Sequence, residues 1–302
     1  MINEKVKNAK AAMVNSLALC GELTMGVHLM KATLVMYGSV FLATLLFNCQ
    51  AWTNLTKTDI KRLETAQIQY LKKAAHAPLS VTNSFTFLKF GVLPASYLIH
   101  YRQLTFLYHI LKLDDTDPVK VMYREQKTLP FEKNWANHMD YILQLYGLDC
   151  NDIFVMPKST WKGKAKKAVR DKAFSCLVID SSNKSKTRKV SYSSFSRQSY
   201  LFQYNFKDAC TIFKLRSRSV NCKGNQKSSS KSIICRLCKT CDETQQHIIN
   251  CPAATDGPIL DMSVIYNEDI LPNDELIIQI CSRVQSFHRK VNETAAEESL
   301  KK

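Results

Sequence analysis

Apolar positions along this chain recur mainly at helical spacing. In "LTKTDIKRLETAQIQYLKKAAHAP", Ile60, Leu63, Ile68 and Leu71 fall on one face of a helix, and Lys57, Lys61, Arg62, Lys72 and Lys73 cover its polar sides. Thr56 is placed to cap this helix, with Asp59 three positions on, and His76 and Pro78 mark its end. A second helix is predicted after Pro94, a residue suited to a first helical turn. Its broad apolar face of Tyr97, Leu98, Tyr101, Leu104, Leu107, Tyr108 and Leu111 is of the kind that packs into a core. Upstream, "VKNAKAAMVNSLALCGEL" is rich in Ala and Leu with basic residues on one side. Residues 32 to 56 carry no charge, and "ATLVMYGSVFLATLLF" is almost wholly apolar. Gly38, Ser39, Asn48, Gln50 and Asn54 interrupt the run, and its strongly apolar part stops near Phe47. That is short of the roughly 18 residues a membrane span needs, so the segment reads as a buried core helix.

Downstream the pattern changes. Residues 157 to 190 carry eleven Lys or Arg against Asp171 and Asp180, and "SYSSFSRQSYLFQYNF" follows with aromatics interleaved among polar residues. From Lys207 to Lys239 nine basic residues face only Asp208, whereas residues 242 to 302 reverse sign, eleven acidic against five basic. "NCKGNQKSSSKS" is low in complexity and reads as a flexible loop. The fold expected is mostly α. A helical domain covers 1–125, a basic helical and irregular middle covers 126–206, a leader and small metal-binding knuckle cover 207–255, and an acidic helical tail covers 256–302.

Charge narrows the partners. Lys plus Arg number 42 against 26 Asp plus Glu, a net charge of +16, which favours polyanions, nucleic acid first and anionic membrane second. The surplus lies mainly in 157 to 239, beside Trp161, Tyr192, Phe195, Tyr200, Phe202 and Tyr204. Lysine and arginine supply salt-dependent phosphate affinity and aromatics can stack unpaired bases, so the contacts are expected to be mainly nonspecific. The residues expected to make them are Lys162, Lys164, Lys166, Lys167, Arg170, Arg188, Lys189, Lys214, Arg216 and Arg218.

The cysteines point to metal. There are eleven; Cys20, Cys49, Cys150, Cys176, Cys210, Cys222 and Cys281 are scattered and read as buried small hydrophobes. The N-terminus carries no signal-peptide core, so a reduced intracellular compartment, nucleus or cytoplasm, is expected, where clustered cysteines bind metal rather than form disulfides. The remaining four cysteines lie with a histidine in "CRLCKTCDETQQHIINCP". Cys235 and Cys238 have the short spacing that lets two thiolates of one turn reach one ion. His247 and Cys251 lie four apart, one helical turn, on a helix for which Thr240 and Glu243 read as a capping box and Pro252 as a stop. Cys238 and Cys241 are an equally good pair by spacing. Cys241, however, falls just after the cap and leaves little chain to turn back, which favours Cys235, Cys238, His247 and Cys251. Three thiolates and an imidazole in a closed set indicate one structural zinc ion.

No catalytic constellation appears. The chain has no Gly-rich phosphate loop and no His-Glu-x-x-His helix. The only Asp-Asp pair, Asp114-Asp115, follows a helix and precedes Pro118 without a strand-like flank to hold metal. No small-molecule substrate is indicated.

Three stretches together resemble the C-terminal region of non-LTR (LINE-type) retrotransposon reverse transcriptases: "LLFNCQAWTNLTKTDIKRLETAQIQYLKK", "FGVLPASYLIHYRQLTFLYHIL" and "FKLRSRSVNC…CRLCKTCDETQQHIINCP". The first two are similar to that family's thumb, the third to its Leu-Arg-x-Arg leader and zinc knuckle. Glu243, Thr244, His247, Cys251 and Pro252 match the knuckle pattern, and the family's Glu-Thr offset selects Cys235 and Cys238. The resemblance implies a thumb-like N-terminal part and a region that grips template RNA and target DNA. It departs at Phe47-Asn48, where the family has Tyr-Gly, and at the acid before Trp52. The aromatic-x-Asp-Asp palm motif and an endonuclease are missing, and the chain begins where the palm would end. The expectation is therefore a truncated or host-retained fragment that binds nucleic acid without catalysis. The alternatives are an accessory part acting with a reverse transcriptase palm in trans, and an inert remnant or protein-interaction module.

Overall fold

The computed structural model describes residues 1–23, 28–129, 134–188, 190–225, 232–266 and 274–300. The chain is mostly α, as the apolar spacing indicates, with no strand among the described residues. Ile234 and Asp242 form a single antiparallel bridge. The helices are α1 (Ile2–Leu23), α2 (His28–Met36), α3 (Leu42–Leu45), α4 (Lys57–Ala74), α5 (Asn83–Phe90), α6 (Ala95–Leu111) and α7 (Pro118–Thr128). They continue as α8 (Trp135–Tyr146), α9 (Asp152–Val155), α10 (Lys158–Ser182), α11 (Tyr200–Gln203), α12 (Phe206–Arg216), α13 (Gln245–Ile249) and α14 (Glu275–Leu300).

Local chemistry sets several boundaries. The Thr56 hydroxyl accepts from the Asp59 amide at 3.1 Å and the Asp59 carboxylate accepts from the Thr56 amide at 3.2 Å, a reciprocal cap that starts α4. At its other end Lys72 turns inward and does not cover a polar side. Its ammonium donates to the Leu79 carbonyl at 2.7 Å and to Asn83 Oδ1 at 2.8 Å, and burial lowers its pKa to about 8. Gly91 ends α5 in the left-handed region at φ +58°. A Cβ there would lie 2.4 Å from the Arg197 amide nitrogen, so only glycine lets that loop approach.

The apolar segment is a folded core element. α2 runs through a π-helical turn, Tyr37–Phe41, into α3, and the rings of Tyr37 and Phe41 pack on Tyr70 of α4 at 5.2 and 4.9 Å. Among the described residues no helix is long and apolar enough to cross a membrane.

Buried side chains form two cores. The larger joins α1–α5 to the C-terminal elements α11–α14, so the two ends of the chain share one interior. The smaller lies between the second half of α6, α7, α8, α9 and the first half of α10. The 25-residue α10 serves both. Trp161, Ala165 and Val169 enter the smaller core, Leu177 the larger, and the Trp161 indole donates to the Leu104 carbonyl at 3.0 Å. α14 buries Ile277, Ile280, Cys281, Val284 and Phe287 at helical spacing, so the first half of this helix is core. Of the scattered cysteines, Cys20, Cys49, Cys210, Cys222 and Cys281 are buried and Cys150 partly so. Cys176, on α10, is exposed and is not a core residue.

Candidate metal centre and basic surface

Cys235, Cys238, His247 and Cys251 converge, and their ligand atoms all lie within 4.8 Å of one another. Zinc bonds of about 2.3 Å to sulfur and 2.0–2.1 Å to nitrogen, set tetrahedrally, place two sulfurs roughly 3.8 Å apart and a sulfur and nitrogen roughly 3.5 Å apart. Here Cys235 Sγ and Cys251 Sγ are 3.8 Å apart, and Cys238 Sγ and His247 Nε2 are 3.4 Å apart. The donor set and its spacing fit a metal ion. Cys241 stays outside it: its side chain is exposed, while its carbonyl accepts from the Cys235 amide at 2.7 Å.

The helix that presents His247 starts four residues later than Thr240 and Glu243 suggest. Thr244 caps α13, its hydroxyl accepting from the His247 amide at 3.1 Å. Thr240 instead donates to Cys238 Sγ at 3.2 Å. Glu243 is fully buried and works as a clamp rather than a capping-box partner. Its carboxylate accepts from the Arg236 amide at 2.9 Å, the Arg236 guanidinium at 2.7 and 2.9 Å, and the Lys223 amide at 3.0 Å. Burial raises its pKa, but these donors outweigh it and hold the carboxyl below its usual range. The same glutamate carbonyl accepts from the Gly224 amide at 3.0 Å, so the leader into the knuckle is stapled to the metal loop. Burial likewise opposes the Cys238 thiolate, yet Thr240 and the Cys241 amide bring its pKa down to about 6. Burial pushes the Cys251 thiol upward, and a bound cation would supply the charge that its deprotonation requires.

The structure disperses the basic residues. Lys166 and Lys167 are exposed on α10, and Lys162 lines a shallow cleft of about 370 Å³ with Lys158, Arg102, Tyr101 and Phe106. Lys164 is paired with Asp152, and Arg170 donates to the Phe195 carbonyl. Arg188 is exposed, Lys214 lines a groove beside the knuckle leader, and Arg218 is half-buried with its guanidinium 5.9 Å from the Tyr266 ring centre. Lys189 lies outside the described residues, as do residues 226–231 of the Ser- and Lys-rich segment.

Arg216 is a correction: it is not at the surface. Its side chain is fully buried, donating to the Ile265 carbonyl at 2.6 Å and to Gln198 Oε1 at 3.1 Å, over the Tyr200 ring. It ties α12 to the segment before α14. The interleaved aromatics are corrected as well. Trp161, Phe195, Tyr200 and Tyr204 are buried, and Tyr192 and Phe202 are partly buried against the larger core, so none is a free stacking platform. Asp115 of the Asp-Asp pair is held by Lys120 and Arg124 at the surface, which lowers its pKa. Comparison with family models, curated proteins and solved structures finds no match for this chain.

Proposed function

We propose that this chain is a noncatalytic nucleic-acid-binding protein, a fragment of the reverse transcriptase type that its knuckle and leader resemble. It holds RNA or DNA on cationic surfaces and keeps one structural zinc ion in the Cys235, Cys238, His247 and Cys251 set. One observation carries the reading: cationic side chains on α10, in the segment after it and in the groove beside the knuckle leader have no carboxylate partner. Among the described residues none of Lys162, Lys166, Lys167, Arg188 and Lys214 is paired with a carboxylate. Four ligands leave no open coordination position for hydrolytic chemistry, which supports a structural role for the ion.

The test is fluorescence anisotropy with labelled single-stranded RNA, single-stranded DNA and duplex DNA between about 50 and 200 mM salt. Binding that weakens steeply with salt is expected. No binding, or binding indifferent to salt, overturns the reading. Metal analysis of the purified chain is expected to give one zinc per chain, and cobalt substitution the intense visible bands of tetrahedral thiolate coordination.

A further inference from the structure

Beside the knuckle leader lies an open groove of about 1030 Å³. Its walls are the turn after α4, one face of α12, one face of α14 and the leader itself. Phe206, Lys207, Cys210, Thr211 and Lys214 line it from α12, the spacing of a single helix face. Val284, Gln285 and His288 line it from α14. Three lysines, Lys186, Lys207 and Lys214, are distributed around it, and no aspartate or glutamate is among its lining residues. Its floor is apolar, with Ala77, Pro78, Val220 and the half-buried Phe206, whose ring meets His76 edge-on at 4.9 Å.

We infer that this groove is a site for single-stranded nucleic acid, with backbone phosphates on Lys186, Lys207 and Lys214 and unpaired bases against the Phe206 and His76 rings. The inference rests on the nucleic-acid reading above and gives it a place. A cationic border around an apolar, ring-bearing floor is how sequence-tolerant single-strand sites combine backbone attraction with base stacking. A duplex keeps its base faces stacked inside the helix and cannot use that floor. The leader wall is also the one fixed by the metal loop, through the Lys223 and Gly224 amides on Glu243 and through Asn225, which donates to Gln245 Oε1 at 3.3 Å. The knuckle thereby holds one wall of the groove in register with α12.

The experiment uses the full chain with a labelled single-stranded oligonucleotide and a duplex of the same length. The variants are a groove triple, Lys186→Gln, Lys207→Gln and Lys214→Gln, and a charge-matched triple on α10, Lys162→Gln, Lys166→Gln and Lys167→Gln. Zinc content and melting temperature report that each variant is folded. The wild type is expected to prefer the single strand. The groove triple should lose at least about tenfold in single-strand affinity and flatten the log–log salt slope by about 2, the share of three phosphate contacts, with a smaller loss for the α10 triple. Single strands bearing photoreactive bases should crosslink to peptides covering residues 76–80 and 206–214. Equal loss in both triples, loss in the α10 triple alone, equal affinity for duplex, or crosslinks confined elsewhere overturns the groove while leaving nucleic-acid binding standing. A wild type that binds neither oligonucleotide overturns both.

Discussion

At the scale of single residues, the metal loop separates two cysteines that look equivalent. Cys251 Sγ lies 3.8 Å from Cys235 Sγ inside the set, whereas the Cys241 thiol is exposed and stands outside it. Cys241→Ser should therefore leave zinc stoichiometry at one, and Cys251→Ser should abolish it, both read by metal analysis of the purified chain. Glu243→Gln should keep zinc but cost about 2 kcal/mol in denaturant unfolding, because a buried carboxylate that accepts charged and backbone donors is replaced by an amide that cannot satisfy them all. The convergence of the four side chains is legible because their spacing is local: a short Cys loop and a helical turn bring donors together without reference to the rest of the fold. The spacing pairs Glu243 with Thr240, whereas Arg236 and Lys223 reach it through a loop whose path no periodicity records. Arg216 was misplaced although a signal existed. Ala209, Ile212 and Phe213 set the buried face of α12, and Arg216 continues that face at helical spacing. Its charge outweighed its position in the pattern.

At the scale of elements, α10 shows what a charge-based reading leaves out. Residues 157 to 190 read as basic and partly irregular, yet 25 of them form one helix whose buried stripe is Trp161, Ala165, Val169, Ala173, Leu177 and Ser181. The stripe has one residue per turn, and in the lysine-rich first half of the helix it is too narrow to stand out. Its alanines allow close approach by α5 and α6. Ala173→Leu should then overpack that seam and destabilise the chain by about 1–3 kcal/mol, visible as a lower urea midpoint with an unchanged slope. The helices with broad apolar faces, α4 and α6, were legible for the converse reason. The contact of α6 with α8 has its own consequence. His100 lies 2.8 Å from the Tyr146 hydroxyl and near His138, and burial, reinforced by His138, lowers its pKa from 6.5 to about 4. A depressed histidine pKa means that the unfolded chain binds the proton first. Stability from this site is complete above pH 6.5 and is lost as pH falls toward 4. Urea unfolding of the wild type and His100→Gln at pH 7 and pH 5 should show a smaller acid loss in the variant; an identical loss would remove His100 as a cause.

At the scale of the whole molecule, the two cores bear differently on the metal. The larger contains Cys235, Cys251, Ile248 and Ile249 from the knuckle, whereas the smaller is built from residues 104 to 169 and contains none of it. The leader between Val220 and Asn225 has little regular structure and is held by hydrogen bonds to Glu243, Gln245 and its own backbone. An ion held by the four side chains would be that loop's central constraint, and its removal would leave α8 and the first half of α10 packed on each other. Chelation should accordingly raise amide exchange in residues 220–225 and 235–251 first, with α8 and the start of α10 still protected, because local opening follows the least supported contacts. Exchange that rises everywhere at once would show a single cooperative unit in which the knuckle is indispensable to both cores; no change at all would show that the loop holds its shape without the ion. If the groove holds single strands as proposed, the middle outcome has a functional counterpart, since the metal-free protein keeps every lysine yet loses the alignment of the leader wall. Its single-strand affinity should fall while the duplex background, set by overall charge, stays near that of the metal-loaded chain. A fall of equal size on both would assign the effect to loss of charge or fold rather than to the wall that the metal loop positions.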